Sequence, residues 1–376
     1  MHSIRLFVFL FLITPFITFS QTIRLPYNDD SGWMLVDLKV NNKPMTFLFD
    51  TGWDGLSIRS SLLKEFYHGE PIAAVDANNV VQAVQTMYVD SLKVGNHTFR
   101  HLPFTDMESF PMINDPIFDC YKIDGILGNV IYQDKVLEID PIKKEIILQD
   151  LSKELISTLL QDDFTKIASI QEDVNARIVI PVIVGNKIVR PFLLDTGDNG
   201  YITISSDRET QNYLNQVGYN IYYGIGSVGA FGLNESLNKT MITQEGELQL
   251  NQSIFKNEEL TFFTNVQTYQ MGVEFIKQFH LYYIPYYRML YLKKVKTREI
   301  KSTLERLGYG IGFVEGKYRV AAIGKNEKIV RMGDVVLEID GIPMDKLCNY
   351  RKYLQQSKKK PKLLVEREGK RMNLNN

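Results

Sequence analysis

Two stretches of the chain share a pattern in which three apolar residues lead directly into Asp-Thr-Gly. The first reads FLFDTGWDG over 47–55, and the second reads FLLDTGDNG over 192–200. A carboxylate directly behind an apolar strand is costly to bury unless it has a partner. Two equivalent carboxylates, Asp50 and Asp195, can partner each other by sharing one proton. We therefore expect the two loops to meet in a single site.

A pair of carboxyl groups of this kind can activate water. Like charges about 3 Å apart cannot both ionise, so one carboxyl titrates low and the other titrates high. The ionised member takes a proton from water as the water attacks an amide carbonyl, and the protonated member donates toward the carbonyl oxygen. The sequence thus predicts Asp50 and Asp195 as catalytic residues, with no cofactor and no metal.

The residues after each aspartate suit a supporting role. Thr51 and Thr196 carry short hydroxyls that can brace the two loops against each other by hydrogen bonds. Gly52 and Gly197 permit a tight turn and a close backbone approach that a Cβ atom would obstruct. We expect these four residues to hold the two carboxyl groups in place.

An internal repeat indicates which elements carry the two loops. When the chain is shifted by about 144 residues, segment 34–43 faces 178–187, and segment 126–148 faces 270–292 without a gap. Both pairs are β-rich runs with matching turn residues. The repeat predicts two similar β-rich lobes, with a helical segment between them.

The chain resembles the aspartic proteases of the pepsin and retropepsin type, which build one active site from two DTG loops. That family carries an apolar-apolar-Gly segment later in each lobe, and Ile126-Leu127-Gly128 fits it closely. Gln270-Met271-Gly272 is a weaker version, with a polar residue at the first place. The resemblance implies a mainly β, bilobal aspartic protease fold, with two retropepsin-like β-barrel lobes related by a pseudo-twofold axis.

The resemblance also implies which residues would line the substrate cleft or cover it as a flap. Retropepsin-type loops read D-T-G-x-D, which the first loop obeys with Asp54, while the second has Asn199 at that place. The flap of the first lobe is expected within 76–89, although that segment has no glycine. The glycine-rich stretch 222–232 is either a second flap or a flexible loop. The candidate residues in it are Tyr222, Tyr223 and Gly224.

The last eighty or so residues resemble a PDZ domain. Gly310, Ile311, Gly312 and Phe313 match the G-Φ-G-Φ loop of that family, and the later run 331–344 matches its second motif. In PDZ domains the backbone N–H groups of this loop hold the C-terminal carboxylate of a peptide, which adds to the following strand. The resemblance therefore implies a C-terminal peptide ligand.

The N-terminus and the overall charge restrict location and partners. A basic start followed by a short apolar run over 6–19 indicates a cleaved signal peptide and not a stable membrane anchor, so we expect a periplasmic or secreted protein. The net charge of −1 gives no reason to expect nucleic-acid binding. Cys120 and Cys348 fall in different predicted domains, and we expect two unpaired thiols, with one bridge as the alternative.

Together these features predict an exported aspartic endopeptidase that acts on protein or peptide substrates. The alternative is a catalytically inactive, protease-like protein that binds peptides through its PDZ domain. The predicted segments are a signal peptide (1–20), a first lobe (21–150), a connecting helix (151–163), a second lobe (164–297) and a PDZ domain (298–376).

Overall fold

The computed structural model describes residues 22–161, 163–170, 176–185, 187–225, 228–233, 237–297, 302–357 and 359–374. The predicted signal peptide, residues 1–20, lies outside this part of the chain. In the described part of the chain, no helix is both long enough and apolar enough to cross a membrane.

The first lobe consists of short strands joined by tight turns, and its one α-helix has five residues. Its elements are β1 (Ile23–Asn28), β2 (Leu35–Val40), β3 (Lys43–Phe49), β4 (Leu56–Ile58), β5 (Tyr67–His68), β6 (Ile72–Val75), β7 (Val81–Val84), β8 (Thr86–Val94), β9 (His97–Asp106), α1 (Pro116–Cys120), β10 (Ile123–Leu127), β11 (Val136–Asp140) and β12 (Glu145–Gln149). Strands β2, β3, β10, β4, β9 and β8 pair in that order, and β8 closes on β2. The result is a six-stranded barrel filled by apolar side chains.

The second lobe repeats this plan. After the helix α2 (Lys153–Gln161), its elements are β13 (Thr165–Ala168), β14 (Val179–Val184), β15 (Ile188–Leu194), β16 (Ile202–Ser205), α3 (Arg208–Val217), β17 (Asn220–Ile225), β18 (Val228–Gly229), β19 (Gly232–Leu233), β20 (Leu237–Leu250), β21 (Ser253–Phe263), β22 (Tyr269–Met271), α4 (Val273–Ile276), β23 (Phe279–Ile284) and β24 (Met289–Lys294). Strands β14, β15, β22, β16, β21 and β20 form the second six-stranded barrel, and β20 closes on β14. The segments that align in the sequence repeat therefore occupy equivalent strands.

A shared sheet joins the two barrels. Its strand order is β13-β24-β23-β11-β12-β1, and the lobes meet where β11 pairs antiparallel with β23. At this seam Leu137 lies opposite Tyr283 and Ile139 lies opposite Leu281, and all four side chains are buried. The expected fold class, mainly β with two barrel lobes, is confirmed.

Residues 302–374, which we call the C-terminal subdomain, form a smaller unit. Its elements are α5 (Thr303–Leu307), β25 (Tyr309–Val314), β26 (Lys317–Gly324), β27 (Val335–Ile339), β28 (Ile342–Pro343), α6 (Tyr350–Gln356), β29 (Leu363–Arg367) and β30 (Lys370–Leu374). A separate apolar cluster that includes Tyr309, Val320 and Leu354 fills it. Strand β26 also pairs with β17 of the second lobe, so the subdomain extends that lobe's sheet.

The C-terminal subdomain is also fastened to the first lobe. The guanidinium of Arg351 donates to the Asp115 carboxylate at 2.7 Å, and the Lys352 ammonium lies 2.5 Å from the Asp30 carboxylate. A disulfide joins Cys120, at the end of α1, to Cys348, with their Cα atoms 5.7 Å apart. The expectation of two unpaired thiols was therefore wrong, because docking of the subdomain brings two cysteines 228 positions apart into bonding range.

Candidate active site

The two DTG loops begin at equivalent strand ends. Asp50 follows β3, and its backbone N–H donates to the Leu127 carbonyl at 3.0 Å. Asp195 follows β15, and its N–H donates in the same way to Met271 at 3.0 Å. Strands β3 and β15 each run parallel to the strand that supplies this carbonyl, β10 or β22. Each loop is thus held at the end of a rigid pair of strands.

Reciprocal hydrogen bonds between two buried threonines tie the loops together. Thr51 Oγ1 donates to the Leu194 carbonyl at 2.7 Å and accepts the Thr196 N–H at 3.1 Å. Thr196 Oγ1 donates to the Phe49 carbonyl at 2.7 Å and accepts the Thr51 N–H at 2.9 Å. Four buried hydrogen bonds between lobes therefore set the position of one loop against the other.

The structure brings the carboxyl groups of the two aspartates together, each packed against the glycine of the opposite loop. The adjacent glycines leave room for this contact. A Cβ atom on Gly52 would lie 2.8 Å from Asp195 Cγ, and one on Gly197 would lie 2.6 Å from Asp50 Cγ. Any other residue at either position would collide with the opposite carboxyl group.

The surroundings of the pair favour sharing of one proton. Burial and the charge of Asp195 raise the pKa of Asp50 well above its usual range. Burial also raises the pKa of Asp195, but hydrogen bonds from the Gly197 N–H, from Asp50 and from Gln270 oppose that rise. The two environments therefore differ, although the loops are related by the repeat.

Two residues of the second lobe to which the sequence analysis gave no role at the site differ from their counterparts in the first lobe. Gln270 Nε2 donates to Asp195 Oδ2 at 2.8 Å. Burial and the neighbouring Asp195 raise the pKa of Asp198 to about 7, and Asp198 Oδ1 accepts the Gly200 N–H at 2.7 Å. The sequence could have pointed to both residues, because they differ from their counterparts in the first lobe. Gln270 replaces an apolar residue, and Asp198 stands where the first loop has Trp53.

Asp54 and Asn199, the equivalent cleft candidates, have different surroundings. Asp54 Oδ1 lies 3.1 Å from Arg177 Nε, at the start of the second lobe, and accepts the Asn129 amide at 2.9 Å. The structure thus places Asp54 in an ion pair between the lobes. Asn199 lies beside Gly32.

Two hairpins, one from each lobe, meet next to the loops. Asp76, in the tip between β6 and β7, accepts the Phe231 N–H at 3.0 Å, and Asn78 donates to the Gly232 carbonyl at 3.3 Å. Phe231 stacks edge-on against Phe110, with ring centroids 5.4 Å apart. Phe110 in turn contacts Trp53 of the first loop, at 5.7 Å. Both segments considered as flaps therefore supply a hairpin, and the two hairpins touch.

Tyr222, Tyr223 and Gly224 lie outside the hairpin contact. They belong to β17, where they pair with residues 322–324 of β26. The Tyr222 hydroxyl donates to the Glu305 carboxylate of α5 at 2.8 Å. The structure therefore places these three candidates at the junction with the C-terminal subdomain.

The four residues expected to form a carboxylate-binding loop lie inside a strand. Gly310, Ile311, Gly312 and Phe313 belong to β25, which pairs with β26 with a register irregularity after Gly310. The four residues therefore continue the hairpin with β26, and their role in binding a carboxylate stays a prediction. The Tyr350 hydroxyl of α6 donates to the Ile311 carbonyl at 3.3 Å, so helix and strand lie side by side.

A further polar group lies on the sheet between the lobes. Glu138, Asp140 and His280 have ligand-type atoms within 4.8 Å of one another. Glu138 accepts from His280 at 2.9 Å and from the Tyr282 hydroxyl at 3.0 Å, and Asp140 pairs with Lys143 at 3.0 Å. Each of these three buried or half-buried side chains therefore has a polar partner in the protein, and we assign no metal to the group.

The comparison with known families agrees with the geometry. The model of the aspartyl protease family matches residues 36–130. This match begins in β2, includes the first DTG loop and ends just after β10. No curated protein was found to match the chain. The family match and the two six-stranded barrels fit a bilobal aspartic protease fold.

Proposed function

We propose that this protein is an exported aspartic endopeptidase, with Asp50 and Asp195 as its catalytic residues. One observation carries the proposal: the carboxyl groups of Asp50 and Asp195, one from each lobe, lie against each other between the two glycines, with Asp195 buried and Asp50 half-buried. The threonine bonds and the two glycines hold this contact in place. A buried pair of acids is costly to maintain, and enzymes concentrate such perturbed groups at active sites.

In the proposed reaction the pair acts on a water molecule and a peptide bond. The ionised carboxylate takes a proton from water, whose oxygen attacks the carbonyl carbon, and the protonated carboxyl donates its proton to the carbonyl oxygen. The resulting tetrahedral species breaks its C–N bond as the amine receives a proton. The paired hairpins part to admit an extended peptide and close again over it.

Export is supported by two features. The N-terminal segment has the charge and length of a cleaved signal peptide. The disulfide between Cys120 and Cys348 is of a kind that persists in oxidising compartments such as the periplasm. We therefore propose that the protein is periplasmic or secreted.

For the C-terminal subdomain we propose a PDZ-like role in recruiting the C-terminus of a substrate or partner. The support is the arrangement of β25 beside α6, where a peptide could add to the outer strand edge. The hydrogen bond from the Tyr350 hydroxyl to the Ile311 carbonyl would have to break before such a peptide could bind.

Proteomic peptide libraries provide the decisive experiment. The mature wild-type chain, the Asp50→Asn variant and the Asp195→Asn variant are incubated with a library from about pH 3 to about pH 8, and the cleaved peptides are identified by mass spectrometry. We expect cuts with the wild type alone. If no peptide is cut by the wild type at any pH, the endopeptidase proposal fails, and the peptide-binding alternative remains.

A further inference from the structure

The two catalytic loops differ in one hydrogen-bond donor. Asp50 Oδ1 accepts the N–H groups of Gly52 at 2.8 Å and Trp53 at 3.1 Å. Asp195 has the matching backbone donors from Gly197, at 2.8 Å, and from Asp198. In addition, Asp195 Oδ2 accepts the side-chain amide of Gln270 at 2.8 Å. The extra donor therefore reaches only one member of the pair.

The strands on either side hold Gln270 in place. It lies in β22, opposite Leu193 of β15 on one side and opposite Thr203 of β16 on the other. The equivalent residue of the first lobe is Ile126, opposite Leu48 of β3 and Ser57 of β4. Isoleucine has no polar atom, so the first lobe cannot provide this donor. The asymmetry is thus built into equivalent strands of the two barrels.

A donor at this position acts on the charge state of the pair. Hydrogen bonds to an ionised carboxylate stabilise the charged form. Resting on the endopeptidase function proposed above, we infer that Gln270 is a positioning residue that keeps the shared proton on Asp50. Asp195 is then the base that takes the proton of water, and Asp50 is the acid that donates to the carbonyl oxygen. After that transfer Asp195 holds the proton that the leaving amine needs, and Asp50 recovers its proton from the tetrahedral species.

The titratable groups that face Asp195 are few among the described residues. They are Asp50 across the site, Asp198 in its own loop and the buried Tyr132 below the loops. Once Asp198 is ionised, its negative charge destabilises the ionised form of Asp195.

Two variants of Gln270 and one control test the inference. Gln270→Leu removes the donor, and Gln270→Glu keeps it only while the glutamic acid is protonated. Gln278→Leu is the control, because Gln278 is another glutamine of the second lobe, but its side-chain amide donates to the Tyr201 hydroxyl and the Glu274 carbonyl. The readouts are kcat and KM across pH, and ¹³C NMR titration of the aspartate carboxyls, with Asp50→Asn and Asp195→Asn used to assign the signals.

For Gln270→Leu we expect the acid limb of kcat/KM to move up by about one to two pH units, as expected for the loss of one hydrogen bond to a charged group. We also expect kcat at the optimum to fall about tenfold, with KM within about twofold of wild type. Gln270→Glu should approach wild-type activity at about pH 4 and lose it as the pH rises. The control should keep the wild-type limb.

The two proposals fail in different ways. If the wild type cleaves peptides and Gln270→Leu keeps the wild-type acid limb, the inference about Gln270 is wrong and the endopeptidase function stands. If the wild type cleaves nothing, the NMR titration still tests the inference about Gln270. The inference requires Asp195 to ionise at a lower pH than Asp50 in the wild type. It also requires this order to be lost in Gln270→Leu. If Gln270→Leu does not fold, Gln270→Glu supplies the same comparison between low and high pH.

Discussion

Asp198 provides a quantitative test of the electrostatics of the site. Its ordinary pKa is 3.8, and burial beside Asp195 raises it to about 7 in the folded protein. That difference corresponds to about 4 kcal/mol at most, because each pH unit is worth about 1.4 kcal/mol. The side chain keeps some contact with solvent, so the measured value should fall below this limit.

The sign of the effect follows from proton linkage. The folded state binds the proton of Asp198 more tightly than the unfolded state does. The contribution of Asp198 to stability is therefore fully present below about pH 4 and is lost as the pH rises through about 7. Asp198→Asn keeps an oxygen that can accept the Gly200 N–H but cannot ionise. We expect the variant to match the wild type at about pH 4 and to be more stable by about 2–4 kcal/mol at about pH 7.5.

Urea unfolding of both proteins at several pH values between about 4 and 7.5 measures this difference. Asp50 and Asp195 are present in both proteins, so they enter the difference only through their interaction with the charge of Asp198. Asp90→Asn, at an exposed position of β8, is the matched control and should show a difference that does not change with pH. If the gain from Asp198→Asn is the same at both ends of the range, Asp198 does not carry the proton that we assign to it.

Three other changes probe the framework. Thr196→Val leaves the Phe49 carbonyl and the Thr51 N–H without their partners and should lower the free energy of unfolding by about 3 kcal/mol, whereas Thr196→Ser should lower it far less. Cys348→Ser removes the disulfide that closes a loop of 228 residues and should lower the free energy of unfolding by up to about 5 kcal/mol. If the wild type unfolds at the same denaturant concentration with and without a reductant, this expectation is wrong. Asp76→Ala removes the acceptor between the hairpins and should raise hydrogen exchange at the Phe231 amide, while Asp90→Asn should leave it unchanged.

Local sequence was sufficient to predict that the two Asp-Thr-Gly loops meet and to predict the architecture around them. The apolar run before each Asp-Thr-Gly specifies a buried strand that ends at a carboxylate, and the glycine specifies the turn. The repeat of about 144 residues then implies two similar lobes, because a chain that repeats its pattern of turns and apolar residues repeats its strands. These features depend on residues that are neighbours in sequence, and they can be read without a structure.

The other features depend on contacts between residues far apart in the chain. The disulfide, the amide of Gln270 on Asp195 and the ion pair of Asp54 with Arg177 each join separate strands or lobes. In sequence, Gln270 is only a weak match to a motif, and Cys348 is a lone cysteine in another domain. Barrel closure and docking of the C-terminal subdomain decide which of these side chains meet. The sequence thus determined the two acids and their lobes, and tertiary packing decided how those acids differ.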